Sequence, residues 1–267
     1  MGTPFKLYYD RRLAELLADK LTTAGYQSFD RERFIVSIDR GVEPLELKAR
    51  VDLIAETLAE ILPGDYVEAS AILHRTLGPK LEGEKGMFDT GYWLYPIGRF
   101  IERYGLGHFE LSMTLIAELT QRFTGEFAVR PFIETSPEHA LEWFERWTRH
   151  ESVHVRRLAS EGLRPRLPWA KRLRAFERNP ASVFDILDML KDDPSRFVQT
   201  SVGNNLNDHS KDHPAWTLAW IGERMDGITP ARQWIFRHGL RTMRKAEDPR
   251  AVNLLEELKT GRGGAKQ

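Results

Sequence analysis

The chain has 267 residues, no cysteine, and acidic and basic residues in equal number, 39 of each. That length can bury a sizeable core, and 41% hydrophobic with 29% charged content suits a soluble globular protein rather than a disordered one. Disulfides and cysteine-held zinc or iron–sulfur groups are excluded within these residues. No apolar run is long enough to span a bilayer and the amino terminus lacks a secretion signal, so a cytoplasmic protein is expected.

In chain order, helices are expected over roughly 11–24, 30–39, 43–62, 66–77 and 91–105, then over 108–123 and 125–134. Leu47, Val51, Ile54, Ala55 and Leu58 recur at the helical period, as do Val183, Ile186, Leu187 and Leu190. Downstream, a small polar residue before proline marks one start after another: Ser136-Pro137, Asn179-Pro180, Asp193-Pro194, Thr229-Pro230 and Asp248-Pro249. The polar side chain can cap free N–H groups, and proline at the first helical position loses no hydrogen bond. The first two of these starts are 43 residues apart, and the same shift aligns Phe144 with Leu187, Val155 with Val198, Ala159 with Val202 and Leu163 with Leu206. Helix, turn, helix at that period fits HEAT-like repeats. A shorter pair runs from Pro214 to about Arg244. The expected fold is all-α: a HEAT-like helical-repeat solenoid, an α–α superhelix with a concave face. It is expected to form one domain over residues 1–260, with a disordered tail over 261–267.

The zero net charge hides an asymmetry: residues 1–129 hold 15 basic and 20 acidic side chains, and residues 130–267 hold 24 and 19. The surplus is densest where Arg156, Arg157, Arg164, Arg166, Lys171, Arg172, Arg174 and Arg178 face only Glu161 and Glu177. Such a stripe is either a solvated surface or a phosphate-binding footprint. Just before it, 150-HESVH-154 satisfies the H-E-x-x-H pattern of zinc hydrolases, which needs both histidines on one continuous helix. The repeat argues against that. Shifted by 43, His150 falls on Asp193 and Glu151 on Pro194, which places them at the cap and first position of a helix. No third ligand has a recognisable spacing, so neither metal nor cofactor is expected, and a zinc hydrolase using His150 and His154 is the minor reading.

Several polar residues then need an explanation. Arg157 and Glu161 are four apart and share a helix face, as a plain ion pair or as part of a site. Beyond Gly162, two prolines stiffen the path to Trp169, a core anchor or a ligand contact. Glu161 aligns with Asn204 in 201-SVGNNLNDHSKDHP-214, whose amides either tie adjacent repeats together or line a site. Glu126 opens the helix expected at 125–133, where it is favourable helix charge or a further acidic group. Three carboxylates, Glu126, Glu161 and Asp208, beside a basic stripe suit a polyanion only if the carboxylates face something cationic. An alkylated purine and the oxocarbenium-like sugar formed as its glycosidic bond breaks are both cationic.

VRRLASEGLRPRLPWA and SVGNNLNDHSKDHP closely resemble signature segments of the AlkC-type DNA alkylation repair proteins, in the HEAT-like-repeat DNA glycosylase superfamily that includes AlkD. FTGEFAVRPFI and 44-PLELKARVDLIAETLAEILPGDY-66 are similar to that family too, so the resemblance runs to about residue 245. It implies a monofunctional DNA-3-methyladenine glycosylase that excises cationic N3-alkylpurines from double-stranded DNA without fully flipping the base. It implies that Glu126, Glu161 and Asp208 are the acidic catalytic residues, that Trp169 packs against the lesion's deoxyribose, and that Arg157 lies beside its phosphate. Arg156, Arg164, Arg166, Asn204 and Lys211 complete the expected DNA contacts. No lysine stands out as a Schiff-base nucleophile, so strand cleavage is not expected. The chain departs from the family at Gly203, where alanine is expected, and at His209, where isoleucine is expected. It also ends too early for the carboxy-terminal immunoglobulin-like domain of some relatives. The basic helix carrying Arg232, Arg237, Arg241, Arg244 and Lys245 is a substitute grip on DNA, and the loop at 82–91 is another possible contact. The chain is expected to act as a monomer. The alternative is a non-catalytic HEAT-like module that binds damaged DNA or a protein.

Overall fold

The computed structural model describes residues 4–260, and every regular element among them is helical. The tail expected at 261–267 lies outside the described residues. The chain divides into two compact units, Met1–Phe132 and Ile133–Gln267.

The first unit contains α1 (Arg11–Thr23), α2 (Arg31–Val42), α3 (Leu47–Ile61), α4 (Tyr66–Thr76), a short α5 (Met87–Thr90), α6 (Tyr95–Tyr104) and α7 (Phe109–Thr120). Aspartate side chains start three of them: Asp10 accepts from the amides of Arg12 and Leu13, Asp30 from Arg33, and Asp65 from Glu68. Leu13, Leu17, Phe34, Ile38, Ile54, Leu58, Leu73, Ile97 and Ile116 form its buried core at the helical period. The stretch expected to form a helix from residue 125 begins as turns, and α8 (Arg130–Thr135) starts only at Arg130. Glu126 therefore precedes the helix rather than opening it. It is buried, and its carboxylate accepts from the Thr124 hydroxyl at 2.8 Å.

The second unit holds α9 (Pro137–Thr148) and α10 (Val153–Glu161), then α11 (Ala181–Leu190) and α12 (Arg196–Asp212). After these come α13 (Pro214–Gly222), α14 (Pro230–Gly239), α15 (Arg241–Lys245) and α16 (Pro249–Thr260). The aligned apolar residues Phe144, Leu187, Val155, Val198, Ala159, Val202, Leu163 and Leu206 are all buried, so the repeat in sequence is a repeat in packing. Its register is visible in the caps. Ser152 precedes α10 and Ser195 precedes α12, and both inner helices start two residues beyond the positions expected from His150 and Asp193. Instead, the His150 ring Nδ1 accepts the Ser152 amide at 3.0 Å, as the Asp193 carboxylate accepts the Ser195 amide at 2.9 Å. His150 and His154 thus lie on either side of a helix start, and the pair does not have the one-helix geometry of a zinc hydrolase. Among the described residues no group of three His, Asp or Glu side chains could hold a metal ion.

Candidate active site: two carboxylates on one arginine

Helix α12 runs unbroken through the asparagine-rich stretch because each asparagine side chain there meets another element. Asn205 donates to the Ser160 carbonyl of α10 at 2.8 Å, and Asn207 accepts the Thr242 amide at 3.2 Å. Asn204 accepts from the His238 ring and from Arg241, both at 2.9 Å. The asparagines are therefore a ladder between neighbouring repeats, in which each side-chain amide makes at least one hydrogen bond, although Asn205 Oδ1 meets no partner among the described residues. Because α10 and α12 are held in this register, Glu161 at the end of α10 faces α12.

Arg164, in the turn after Gly162, reaches into the space between the two helices. Its Nη1 donates to Glu161 at 2.7 Å and its Nε donates to Asp208 at 2.9 Å. The side chains of Arg164, Glu161 and Asp208 are 9%, 7% and 3% exposed, so the three charges share one nearly water-free site. Glu161 also accepts from the Ser201 hydroxyl and lies 3.6 Å from Arg157, whose guanidinium stacks over the Phe197 ring at 5.0 Å. Asp208 has Lys211 at 3.7 Å. Two buried carboxylates are thus matched by two arginines and a lysine, and without them burial alone would protonate one of the acids.

The two acids are not equivalent. Burial works against the Glu161 charge, but Arg157, Arg164 and Ser201 together outweigh it and hold the carboxyl below its usual value. At Asp208 burial dominates, and Arg164 and Lys211 offset only part of it, so this carboxyl sits above its usual value. Environments that push two carboxyls apart suit different roles in one reaction.

Trp169 is displayed rather than buried. It is 62% exposed on the loop after Arg164, and its backbone has a left-handed φ of 63°. Leu167 and Leu173 are buried on either side, and the Leu173 amide donates to the Pro165 carbonyl at 3.1 Å, which staples the loop. A bulky residue in that backbone region costs about 1 kcal/mol or more, so the loop's anchors hold Trp169 outward against strain.

The other expected contacts divide. Within the second unit Glu161, Asp208, Arg157, Arg164 and Lys211 come together, with Asn204 one turn earlier on α12; Glu126 belongs to the first unit. Arg156 instead clamps Asp193 at 2.7 Å and the carbonyls of His150 and Glu151. Arg166 and Arg172 both pair with Asp212. The basic stripe is therefore largely neutralised within the unit. Ser201 and His238 carry no local sequence signal, and Arg241 carries only that of a basic stretch, because all three meet the site through helix packing. His209 is buried, neither ring nitrogen meets a hydrogen-bond partner among the described residues, and its ring packs 5.1 Å from Phe184. Burial, with His213 nearby, lowers it to about 4, so the neutral ring occupies an apolar position where isoleucine is expected.

A family model described as "DNA alkylation repair enzyme" matches residues 124–243, a span that contains all of these carboxylates. The protein YhaZ of Bacillus subtilis (strain 168) is 38% identical over 250 residues, covering 93% of this chain and 67% of that protein. The Pseudomonas fluorescens alkylpurine DNA glycosylase AlkC, solved bound to DNA containing an abasic-site analogue, superposes with a TM-score of 0.85. It is 31% identical, and the match covers 96% of this chain and 69% of AlkC. The all-helical repeat fold is thus shared along nearly the whole chain, and the chain belongs to the DNA alkylation repair enzyme family.

Proposed function

We propose that this protein is a DNA glycosylase of alkylation repair, which hydrolyses the N-glycosidic bond of cationic N3-alkylpurines such as 3-methyladenine in duplex DNA. The observation that carries this reading is the buried Glu161–Arg164–Asp208 triad, with a strained and exposed tryptophan on the loop that follows Arg164. An alkylated purine leaves with the bonding electron pair and becomes neutral, so the departing base needs little acid help. The sugar left behind is oxocarbenium-like, and preorganised carboxylates stabilise such a charge where water is excluded. Glu161, held firmly ionised, supplies the field. Asp208, the more basic of the two, orients water and takes its proton as oxygen bonds to the sugar. Trp169 packs against the deoxyribose, so the base need not be drawn fully into a pocket.

Purified protein incubated with methylated duplex DNA is expected to free 3-methyladenine and to leave strands intact until alkali is added. Cleavage without alkali would instead point to Lys211 as a Schiff-base nucleophile. Salt-sensitive DNA binding without base release would favour a non-catalytic module. Trp169→Ala is expected to slow release roughly ten- to a hundredfold, the scale of a lost aromatic stacking contact. Its thermal unfolding should stay close to wild type, because an exposed side chain carries little packing energy. Unchanged release kinetics would remove Trp169 from the site.

A further inference from the structure

The cations expected to hold DNA phosphate are mostly occupied. Arg164 spends both edges of its guanidinium on carboxylates, and Arg157 lies between Glu161 and Phe197. Arg156 and Arg166 are paired with Asp193 and Asp212, and Arg232 with Asp192. Arg241 differs. It is half-buried at the start of α15, and its partners are neutral oxygens: Asn204 Oδ1 at 2.9 Å, the His238 carbonyl at 2.6 Å and the Gly203 carbonyl at 3.5 Å. Among the described residues no carboxylate lies within ion-pair distance of it.

The packing of α12 against α14 explains how it gets there. A Cβ added at Gly203 would lie 2.8 Å from the His238 ring, and one added at Gly239 would lie 2.8 Å from Leu206 Cβ. Only a pair of glycines allows this approach. It seats His238 on α12, where the ring shares Asn204 Oδ1 with Arg241. Since Arg241 only donates to that oxygen, His238 bonds it through Nε2–H. Burial, and then Arg241 and Arg164, lower this histidine to about 4, so it orients Arg241 without adding charge. The departure at Gly203 and the placement of Arg241 are thus one feature.

We propose that Arg241 is the phosphate anchor of the site, binding the DNA phosphodiester beside the lesion while Arg164 is reserved for the carboxylates. A planar guanidinium held by neutral oxygens retains its full charge and presents a fork that matches phosphate oxygens. Burial and repulsion from Arg164 work against its charge and Asp208 only partly compensates, so an incoming anion is favoured.

This proposal rests on the glycosylase reading, yet it is tested by binding alone. The probe is a duplex with one abasic-site analogue, titrated at several salt concentrations. Arg241→Gln is expected to weaken binding about tenfold at low salt and to flatten the log–log salt slope by about 0.9, one phosphate contact. Arg241→Lys should keep the slope. Gly203→Ala, which displaces His238, should weaken binding with the charge intact. A wild type that does not bind the duplex, or an Arg241→Gln variant with wild-type unfolding, affinity and slope, overturns the assignment. A wild type that binds with this slope dependence but frees no base refutes the glycosylase reading and leaves Arg241 as a phosphate anchor.

Discussion

Asp208→Asn is expected to lower the single-turnover rate of base release by about a hundred- to a thousandfold, the usual effect of removing one preorganised electrostatic group from an enclosed site. Asparagine keeps the shape and can still accept from Arg164 Nε, so the fold should survive. What it loses is the negative charge facing the sugar and the base that takes the proton from water. The same charge sets the pH dependence. Asp208 sits above and Glu161 below the usual carboxyl value, so on acidification Asp208 protonates first. The acid limb of the wild-type rate profile should therefore lie above the ordinary aspartate range, and it should be absent in Asp208→Asn. A variant rate within a few-fold of wild type would remove Asp208 from the chemistry.

Arg164→Met is expected to be the most destabilising single change in the second unit. It leaves Glu161 and Asp208 buried, near each other, and without the guanidinium that both contact. Breaking a buried ion pair by removing one partner costs about 3–5 kcal/mol, a large share of the roughly 5–15 kcal/mol of a folded domain. The sign with pH follows from the two shifts. The depressed Glu161 carboxyl contributes stability that is present above its unfolded value and lost as pH falls through its folded one. The raised Asp208 carboxyl costs stability when ionised, a cost relieved as pH falls through its folded value. Without Arg164 both carboxyls rise, so the variant should regain more stability on acidification than wild type, in which the loss at Glu161 opposes the gain at Asp208. Thermal unfolding across the acid range measures this, and parallel curves for the two proteins would contradict it. Arg164→Lys keeps one charge but cannot bridge with two edges. It should fold, with its acid limb shifted to higher pH.

Much of the fold was legible because helix starts are written locally. Ser136-Pro137, Thr229-Pro230 and Asp248-Pro249 stand at the beginnings of α9, α14 and α16, and the apolar alignment at 43 residues is the packing of consecutive repeats. The errors were also local. Asp193-Pro194 reads as a cap, but the turn formed by Asp193 delays the helix to Ser195, as His150 delays α10 to Ser152. Glu126 reads as a helix opener, but the chain takes turns first.

The carboxylates and Trp169 of the candidate site were legible as residue types that the local pattern did not need. Their wiring was not. A charge count along 156–178 sees eight cations against two anions, because the neutralising partners lie about one repeat further on. Arg156 meets Asp193, Arg164 meets Asp208, Arg166 meets Asp212, and Glu161 meets Ser201. In a repeat fold the interior surface is built across repeats, so linear charge density overstates the cations left for DNA. Arg241 was visible only as one member of a basic helix. What distinguishes it is that two glycines on different helices let it approach Asn204, and that is a property of packing.

The central claim is that Glu161 and Asp208 together hydrolyse the glycosidic bond. The most direct measurement compares release of free base from one methylated duplex by wild type and by the double variant Glu161→Gln, Asp208→Asn. The prediction is 3-methyladenine release by wild type, and only spontaneous depurination with a double variant that still binds the abasic-analogue duplex. Equal release by both proteins, or none above background from either, would contradict it.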